Sequence, residues 1–397
     1  MSAVYAVATM DTKGEEIAFV ADCLRSAGIA VKTVDVGTKT EPTVVPDIDR
    51  NTVLGNVTLP QNNDRGQAVS AISDALVRFL KNEESEGRIS GVIGIGGSGG
   101  TAIVTAAMRE LSIGLPKLMV STMASGNVGP YVDCSDITMV YSVVDVAGIN
   151  AVSERVLGNA AHAMAGMVSY AVPRSSQNPT LGMTMFGVTT PCVTKVRELL
   201  TKKGFECLVF HATGSGGRAM EKLVESGLIQ GVLDITTTEV ADEVVGGVLS
   251  AGPQRFDALI ESQVPLVVSL GAVDMVNFGE RDSVPVEFRN RNLYEHNAQV
   301  TLMRTTVDEN KTIAEWITNK LNRATSPVTV LIPERGVSML DAPGQPFYDP
   351  AANEALFTTV EQQLHVDDHR RIVRVPHHIN DDAFASALVE HFESIHS

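Results

Sequence analysis

A glycine-rich junction at residues 92–101 constrains the fold more than any other part of the sequence. Residues 92–95 form an apolar, strand-like run, residues 96–100 read Gly-Gly-Ser-Gly-Gly, and a helical pattern begins at Thr101. Glycine lets a backbone approach an anion closely, and a helix N-terminus offers free N–H groups and the positive end of its dipole. The junction therefore predicts a phosphate-binding turn after a buried strand. A tight turn that only packs a helix on a sheet has the same pattern.

The glycines match known nucleotide-binding patterns only in part. Gly94, Gly96 and Gly99 have the G-x-G-x-x-G spacing, but no acidic residue follows about 20 positions later to hold a ribose. Residues 116–122 read Pro-Lys-Leu-Met-Val-Ser-Thr instead. No Gly-Lys-Ser or Gly-Lys-Thr occurs, so the Walker A loop is absent as well. The pattern disfavours a dinucleotide-dependent dehydrogenase and indicates a phosphate site without a classical lysine.

Strand and helix patterns alternate along the chain. In the first half we predict strands at residues 3–9, 31–36, 91–95 and 117–120, and helices at residues 15–27, 67–81, 101–111 and 151–170. Proline, serine, asparagine and glutamine cluster at residues 173–179, and the alternation then starts again. Strands separated by helices form parallel sheets with helices on both faces. The fold class is therefore α/β, with two Rossmann-like three-layer domains and mainly parallel sheets, at residues 1–177 and 178–397.

The second half repeats parts of the first. A strand at 181–188, a threonine-bearing loop, a helix at 193–203, Gly204 and a strand at 206–210 follow the order of the opening unit. A second glycine-rich turn at 214–217 has the same Gly-Ser-Gly-Gly sequence as residues 97–100. Beyond residue 271 the alternation weakens. Residues 333–350, rich in proline and glycine, are typical of a lid or an interface arm.

Four loops are predicted at the carboxyl ends of strands in the first domain, where α/β proteins bind their ligands. Lys13 is a candidate phosphate cation, and Asp11 or Asp145 is a candidate Mg²⁺ ligand. Capping and turn formation are the alternative roles. The predicted cofactor-binding residues are Asp11, Lys13, Gly96, Gly97, Ser98, Gly99, Gly100, Thr101, Ser121, Thr122, Ser125 and Gly126.

The candidate catalytic residues lie in the second half. A strand ends at Asp234, three threonines follow, and Glu239 begins an acidic helical segment, an arrangement that suits metal or acid–base chemistry. The same acids fit a helix cap and first turn. His211 ends a strand, where it is either a general base or a buried core histidine. Cys192 stands at a helix start, where the helix dipole is expected to lower the pKa of a thiol, as a nucleophile requires. No histidine partner for it is visible in the sequence.

Two further polar groups have open interpretations. Residues Arg289, Arg291, Asn292, His296 and Asn297 either bind an anionic substrate or form a solvated loop. The histidines and aspartates at 365–369 and 377–378 are interpreted as surface residues rather than metal ligands, because adjacent histidines on a strand point to opposite faces.

The net charge and the cysteines of the chain limit its expected partners and cellular location. The chain has 31 basic and 47 acidic residues, a net charge of −16, which argues against nucleic-acid partners and anionic membranes. Its four cysteines form no metal or disulfide pattern, and the N-terminus has no signal-peptide pattern. We therefore expect a cytoplasmic protein.

Several motifs together resemble a known family, the ATP-binding N-terminal region of the plant tobamovirus-resistance proteins and their uncharacterised bacterial and fungal relatives. The matching stretches span nearly the whole chain, at residues 11–15, 96–101, 121–126, 210–214, 233–242, 268–279 and 336–346. The resemblance implies two Rossmann-like domains, ATP binding and a homodimer. Plant members carry an extra barrel-like domain, so the resemblance also implies a separate barrel-type protein partner for this shorter chain.

Three functions fit these observations in decreasing order. The first is an ATP-dependent enzyme, with ATP and Mg²⁺ at residues 94–101 and a small anionic metabolite in a cleft between the domains. The second is a non-catalytic nucleotide-binding module that recruits a protein through its dimer. The third is a dehydrogenase, which the missing ribose acid disfavours.

Overall fold

The computed structural model describes residues 2–60, 65–170 and 177–396. Its contacts divide the chain into two units, Met1–Ser175 and Ser176–Ser397. Most of the proline- and serine-rich break predicted at 173–179 lies outside the described residues. No described helix is both long and apolar enough to cross a membrane.

The first unit alternates strands and helices from its first residues. Its elements are β1 (Ala3–Ala8), α1 (Met10–Ser26), β2 (Val31–Asp35), α2 (Arg50–Leu54), α3 (Arg65–Ser85), β3 (Ile89–Gly96), α4 (Ser98–Glu110), β4 (Lys117–Ser121), α5 (Gly129–Val132), β5 (Thr138–Tyr141) and α6 (Ser153–Ser169). The strands form one parallel sheet in the order β2-β1-β3-β4-β5.

Both faces of this sheet are covered by helices. Val4 and Ala6 of β1 pack with residues of α1 and α6, whereas Tyr5 and Val7 pack with residues of α3 and α4. A strand buried on both faces must be apolar at every position, which explains the unbroken apolar runs in the sequence. The unit therefore has three layers.

The second unit repeats this architecture with more elements. They are β6 (Thr180–Met185), α7 (Thr190–Lys202), β7 (Glu206–His211), α8 (Ser215–Glu225), β8 (Gly231–Thr236), α9 (Thr238–Val245), α10 (Asp257–Glu261), β9 (Leu266–Gly271), β10 (Met275–Phe278), β11 (Leu293–Asn297), β12 (Val300–Arg304), α11 (Val307–Leu321), β13 (Val328–Pro333), α12 (Pro350–Gln363), β14 (Arg370–Val375) and α13 (Asp382–Ile395). Six strands form a parallel sheet in the order β14-β13-β9-β8-β6-β7. The predicted fold class is confirmed.

A small antiparallel sheet, β10-β12-β11, was not predicted from the sequence. It lies in the region beyond residue 271 where the alternation weakens. β11 reads Leu-Tyr-Glu-His-Asn and is largely exposed, so it lacks the apolar pattern that identifies a strand.

Two predicted helix boundaries near the ligand-binding edge are wrong. α1 begins at Met10 rather than at residue 15, because the Asp35 carboxylate accepts the Met10 N–H at 2.9 Å and anchors the first turn. Lys13 leaves the helical conformation inside that turn (φ −131°, ψ 22°). α4 begins at Ser98 rather than at Thr101, so most of the predicted glycine loop is the first helical turn.

Candidate functional site

The strand order of the first unit creates a crevice between β1 and β3. The chain moves from β1 outward to β2, then returns across to β3 and continues in the other direction. Ligands in open α/β sheets bind at the carboxyl ends of the strands where the order reverses in this way. The N-termini of α1 and α4 follow β1 and β3, so both helices begin at this edge.

No side chain of the described residues caps the N-terminus of α4. Gly97 is the N-cap residue and, having no side chain, makes no cap hydrogen bond. The N–H groups of the first helical turn, at Ser98, Gly99 and Gly100, have no acceptor within a helix. Ser98 is exposed, and Gly99 and Gly100 are half-buried. This turn therefore presents unbonded donors and the positive end of a 13-residue helix to the crevice.

The glycines keep this turn narrow and open. A Cβ added at Gly96 would lie 2.9 Å from the Gly100 Cα, so the turn closes only around glycine. A Cβ added at Gly97 would meet only the Thr122 hydroxyl, at 3.9 Å. Of the predicted cofactor-binding residues, Gly97–Gly100 and Thr122 thus lie around one open space.

Thr101 and Ser121, two of the predicted cofactor-binding residues, are bonded to each other beneath the turn. Both side chains are fully buried, and their hydroxyl oxygens lie 2.6 Å apart in a hydrogen bond. Ser121 also accepts the Met123 N–H. The two hydroxyls therefore support the turn from beneath and are not presented to a ligand. Ser125 and Gly126 are exposed at the end of a short 3₁₀ helix that follows β4.

Asp11 and Lys13 lie in the first turn of α1, at the β1 side of the crevice. Asp11 Oδ2 accepts the Lys39 N–H at 3.0 Å, so this carboxylate holds the loop after β2. Lys13 is half-buried and forms no ion pair with any described residue. Its ammonium group is thus uncommitted, whereas Asp11 is already engaged.

Thr9 is a residue of this edge that the sequence analysis missed. Its Oγ1 lies 3.2 Å from the Thr12 hydroxyl and 4.0 Å from where a Cβ on Gly100 would be. Thr9 is the N-cap of α1, and its position directly after an apolar strand was the available signal. It adds a hydroxyl on the β1 side opposite Gly100.

In the glycine-rich turn of the second unit, backbone N–H groups donate to the carboxylate of Glu239. Residues 214–217 repeat the Gly-Ser-Gly-Gly sequence and form the start of α8. Glu239 Oε1 accepts the N–H of Gly214 at 2.7 Å and the N–H of Gly217 at 3.0 Å. This turn follows the edge strand β7, whereas residues 97–100 follow the inner strand β3. The two turns therefore share a sequence but not a position in the fold.

Asp234 and Glu239, the predicted catalytic carboxylates, are buried partners of one arginine. The Arg255 guanidinium contacts Asp234 at 2.6 Å, Glu221 at 2.7 Å and Glu239 at 3.0 Å. All four side chains are at most 10% exposed. Burial raises the pKa of Glu221 and of Glu239, and Arg255 opposes that rise. These contacts fix α8, α9 and β8 together, and the catalytic role of Asp234 and Glu239 stays a prediction.

The other two candidate residues of the second unit lie in contrasting environments. His211 is exposed at the end of β7, with its ring 5.5 Å from that of Phe186, so it is not a core histidine. Cys192 is buried, and burial raises the pKa of its thiol. The predicted lowering by the helix dipole is therefore wrong.

The polar group around Arg291 is internally paired. Arg291 binds the Glu309 carboxylate at 2.7 and 2.9 Å, and Arg289 donates to the Val284 carbonyl. A carboxylate therefore neutralises Arg291, whereas Arg289 is exposed and is held only by backbone carbonyls. Among the described residues, no group of three or more histidines, cysteines or acids is arranged to hold a metal ion.

Two doubly wound units, the first with an open helix N-terminus at its strand-order reversal, define a Rossmann-like α/β protein. Family models agree along almost the whole length: the N-terminal domain of the uncharacterised protein family UPF0261 matches residues 2–173, and its C-terminal domain matches residues 178–396. The chain therefore belongs to the uncharacterised protein family UPF0261.

Individual relatives agree with this assignment. The chain is 52% identical to the UPF0261 protein RA0729 of Rhizobium meliloti, over 100% of this chain and 99% of that one. It is 48% identical to the ToMV resistance protein Tm-1(GCR237) of Solanum lycopersicum, over 99% of this chain and 55% of that protein. The chain thus corresponds to about half of the tomato protein, and the resemblance to its family is confirmed. A UDP-GlcNAc 2-epimerase of Methanocaldococcus jannaschii is a distant structural neighbour, with 8% identity over 100% of this chain and 92% of that chain and a TM-score of 0.22.

Proposed function

We propose that the first unit binds ATP at the carboxyl edge of its sheet, with the phosphates on the N-terminus of α4. The chain in this proposal is an ATP-dependent enzyme that acts on a small anionic metabolite, with Mg²⁺ accompanying the nucleotide. One observation carries the proposal. Both α4 and α8 start with the sequence Gly-Ser-Gly-Gly. At α8 the Glu239 carboxylate accepts N–H groups of this turn, whereas at α4 no described side chain does so.

The open turn suits a phosphate by charge as well as by geometry. A helix N-terminus carries roughly half a positive charge and points its N–H groups at an anion. Lys13, unpaired among the described residues, adds a full positive charge on the neighbouring helix. The binding therefore needs no excess of basic residues, which agrees with a chain of net charge −16.

Tyr141 supports a nucleotide over a smaller phosphate compound. Gly96, Ser121 and Tyr141 are register partners across β3, β4 and β5, so their side-chain positions share one face of the sheet. Two strand spacings separate β3 from β5, about 10 Å. Tyr141 is 44% exposed, and its ring offers a surface on which a base can stack while phosphates reach α4.

A binding module without turnover is the second candidate. The burial of Asp234 and Glu239 around Arg255 favours it, because these carboxylates are not free for acid–base chemistry. In this alternative the nucleotide regulates a surface of the protein instead of being consumed.

A substitution that adds a side-chain cap to α4 tests the proposed ATP site. Gly97→Asp places a carboxylate where it accepts N–H groups of the first turn, as Glu239 does in α8, and Gly97 has room for a side chain. We expect calorimetry to show at least tenfold weaker ATP binding to Gly97→Asp, and near wild-type binding to the uncharged control Gly97→Ala. Equal binding by wild type and Gly97→Asp, or none by wild type, contradicts the site. Phosphate release with candidate metabolites then separates the enzyme from the module.

A further inference from the structure

A second buried charge cluster lies at the carboxyl ends of β9 and β13. It contains Asp274, Arg304 and Asp341. Both aspartates are 0% exposed and Arg304 is 5% exposed. Asp274 follows β9, Arg304 ends β12, and Asp341 lies in the segment between β13 and α12. The three residues therefore come together only in the folded unit.

Each aspartate uses one carboxylate oxygen and leaves the other without a donor. Asp274 Oδ2 accepts the Ser338 hydroxyl at 2.7 Å. Asp341 Oδ2 accepts the Val337 N–H at 2.9 Å and the Asn353 amide at 2.6 Å. The Oδ1 atoms of both aspartates are buried and have no hydrogen-bond partner among the described residues. A buried acceptor without a donor is costly, and each of these two oxygens needs a donor that no described residue supplies.

Arg304 does not supply that donor. Its guanidinium donates to the carbonyls of Phe347 and Thr305 and to the side chains of Thr305 and Asn353. The nearest approach of Arg304 to Asp341 Oδ1 is 3.9 Å, beyond hydrogen-bond distance. Arg304 contributes charge to the cluster while its hydrogen bonds go elsewhere.

The charges of the cluster do not balance. Two ionised aspartates and one guanidinium leave one uncompensated negative charge in the core. The titratable and charged groups on the surrounding elements are committed: Glu309 of α11 binds Arg291, Asp349 caps α12, and His378, before α13, contacts the Ser338 carbonyl at 2.9 Å through Nε2. None of these contacts places a positive charge on either aspartate.

We infer that Asp274 and Asp341 form a buried proton-binding site, in which the two carboxyls together hold one proton. One proton on one carboxyl turns one orphaned acceptor into a hydroxyl donor, and it cancels the uncompensated charge. Two carboxylates that cannot both ionise in one site behave in this way. Burial and Asp341 raise the pKa of Asp274 to about 7, although Arg304 opposes the rise.

The bound proton links the segment of residues 334–349 to the sheet. Asp274 holds Ser338, and Asp341 holds the Val337 N–H within the same segment. Opening this segment exposes both carboxyls to water, where the pKa of an aspartate is about 4. Opening therefore releases the proton, and it becomes easier as the pH rises from about 4 towards 7 and levels off above that range.

Hydrogen exchange of the full chain tests this site. The protection factors of the Val337 and Asp341 amides are measured from pH 5 to pH 8.5, corrected for intrinsic exchange. We expect wild-type protection to fall about tenfold per pH unit up to about pH 6.5 and to level off above pH 7. Asp274→Asn, which mimics the protonated carboxyl, is expected to show a flat profile. Asp368→Asn, an exposed aspartate of the same unit, should keep the wild-type slope.

Three outcomes overturn the inference. An unchanged slope in Asp274→Asn assigns the proton elsewhere. Wild-type protection that depends on Na⁺ or K⁺ at fixed pH shows that a metal ion occupies the site. Absence of a protonated-carboxyl infrared band from wild type at pH 6, or a band of undiminished intensity in Asp274→Asn, excludes the shared proton. Intensity is compared because burial also raises the pKa of Asp242 to about 7, so Asp242 contributes to the band in both proteins. Absence of the band from wild type remains decisive if the variant does not fold.

Discussion

Arg255 shows how much a single residue of this chain determines. It is 2% exposed and contacts three carboxylates from α8, α9 and β8. Glu239 in turn binds the N–H groups of the turn before α8. In the sequence Arg255 stands in a loop rich in glycine and proline, where a solvated arginine is the ordinary interpretation. Only the tertiary structure reveals that Asp234 and Glu239 are paired with it.

Removing this arginine leaves three carboxylates buried without a cation. We expect Arg255→Met to lower the free energy of unfolding by about 3–5 kcal/mol, since breaking a buried ion pair strands its partners. Urea unfolding of the full chain measures the change. Arg335→Met, at an exposed arginine of the same unit, should change stability by less than about 0.5 kcal/mol. Equal stability of the two variants would contradict the role of Arg255 as the counter-ion of these carboxylates.

At the scale of elements, the two Gly-Ser-Gly-Gly turns look alike in sequence and differ in surroundings. A Cβ added at Gly217 would lie 2.1 Å from Glu239 Oε2 and 2.7 Å from Arg255 Nε. A Cβ added at Gly100 would come no closer than 3.6 Å to any neighbour, the Ile95 carbonyl. Packing therefore requires glycine at position 217, whereas Gly100 has room for a side chain on the crevice side.

This contrast predicts opposite effects of one substitution. Gly217→Ala should destabilise the chain by about 2–4 kcal/mol, because the methyl group displaces a buried charged partner. Gly100→Ala should be neutral or stabilise by up to about 1 kcal/mol, since alanine favours the helix over glycine. Thermal or urea unfolding compares the pair directly. A large loss from Gly100→Ala would mean that the turn is already filled.

Elements with strong periodicity could be predicted from the sequence, and the edges of elements could not. Strands β1, β3 and β4 are buried on both faces and read as apolar runs, so their pattern is unmistakable. The start of α4 lies in glycines, which have low helix propensity, and its helical state comes from packing on the sheet. The same holds for the candidate site. The sequence pattern located the glycine turn at Gly97–Gly100, whereas the position of Thr9 and the burial of Thr101 depend on neighbouring strands.

At the scale of the whole molecule, two units share one strand order but differ in what occupies their ligand-binding edges. In the first sheet the reversal between β1 and β3 is flanked by an uncapped helix. In the second, the reversal between β6 and β8 is closed by threonine hydroxyls, with Thr189 Oγ1 2.7 Å from Thr236 Oγ1. An anionic ligand therefore has an open helix N-terminus in the first unit and internal partners in its place in the second.

This asymmetry predicts where ATP acts on the full chain. A ligand that binds only the native state at 100 times its Kd stabilises that state by about 2.7 kcal/mol. We expect hydrogen exchange with saturating ATP to slow up to about 100-fold in the peptide covering α4, and to stay unchanged in the peptide covering α8. The effect should vanish in Gly97→Asp and persist in Gly97→Ala, because the carboxylate competes with the phosphates for the same N–H groups. Protection of α8 without protection of α4 would move the nucleotide to the second unit, where Glu239 would have to leave its turn.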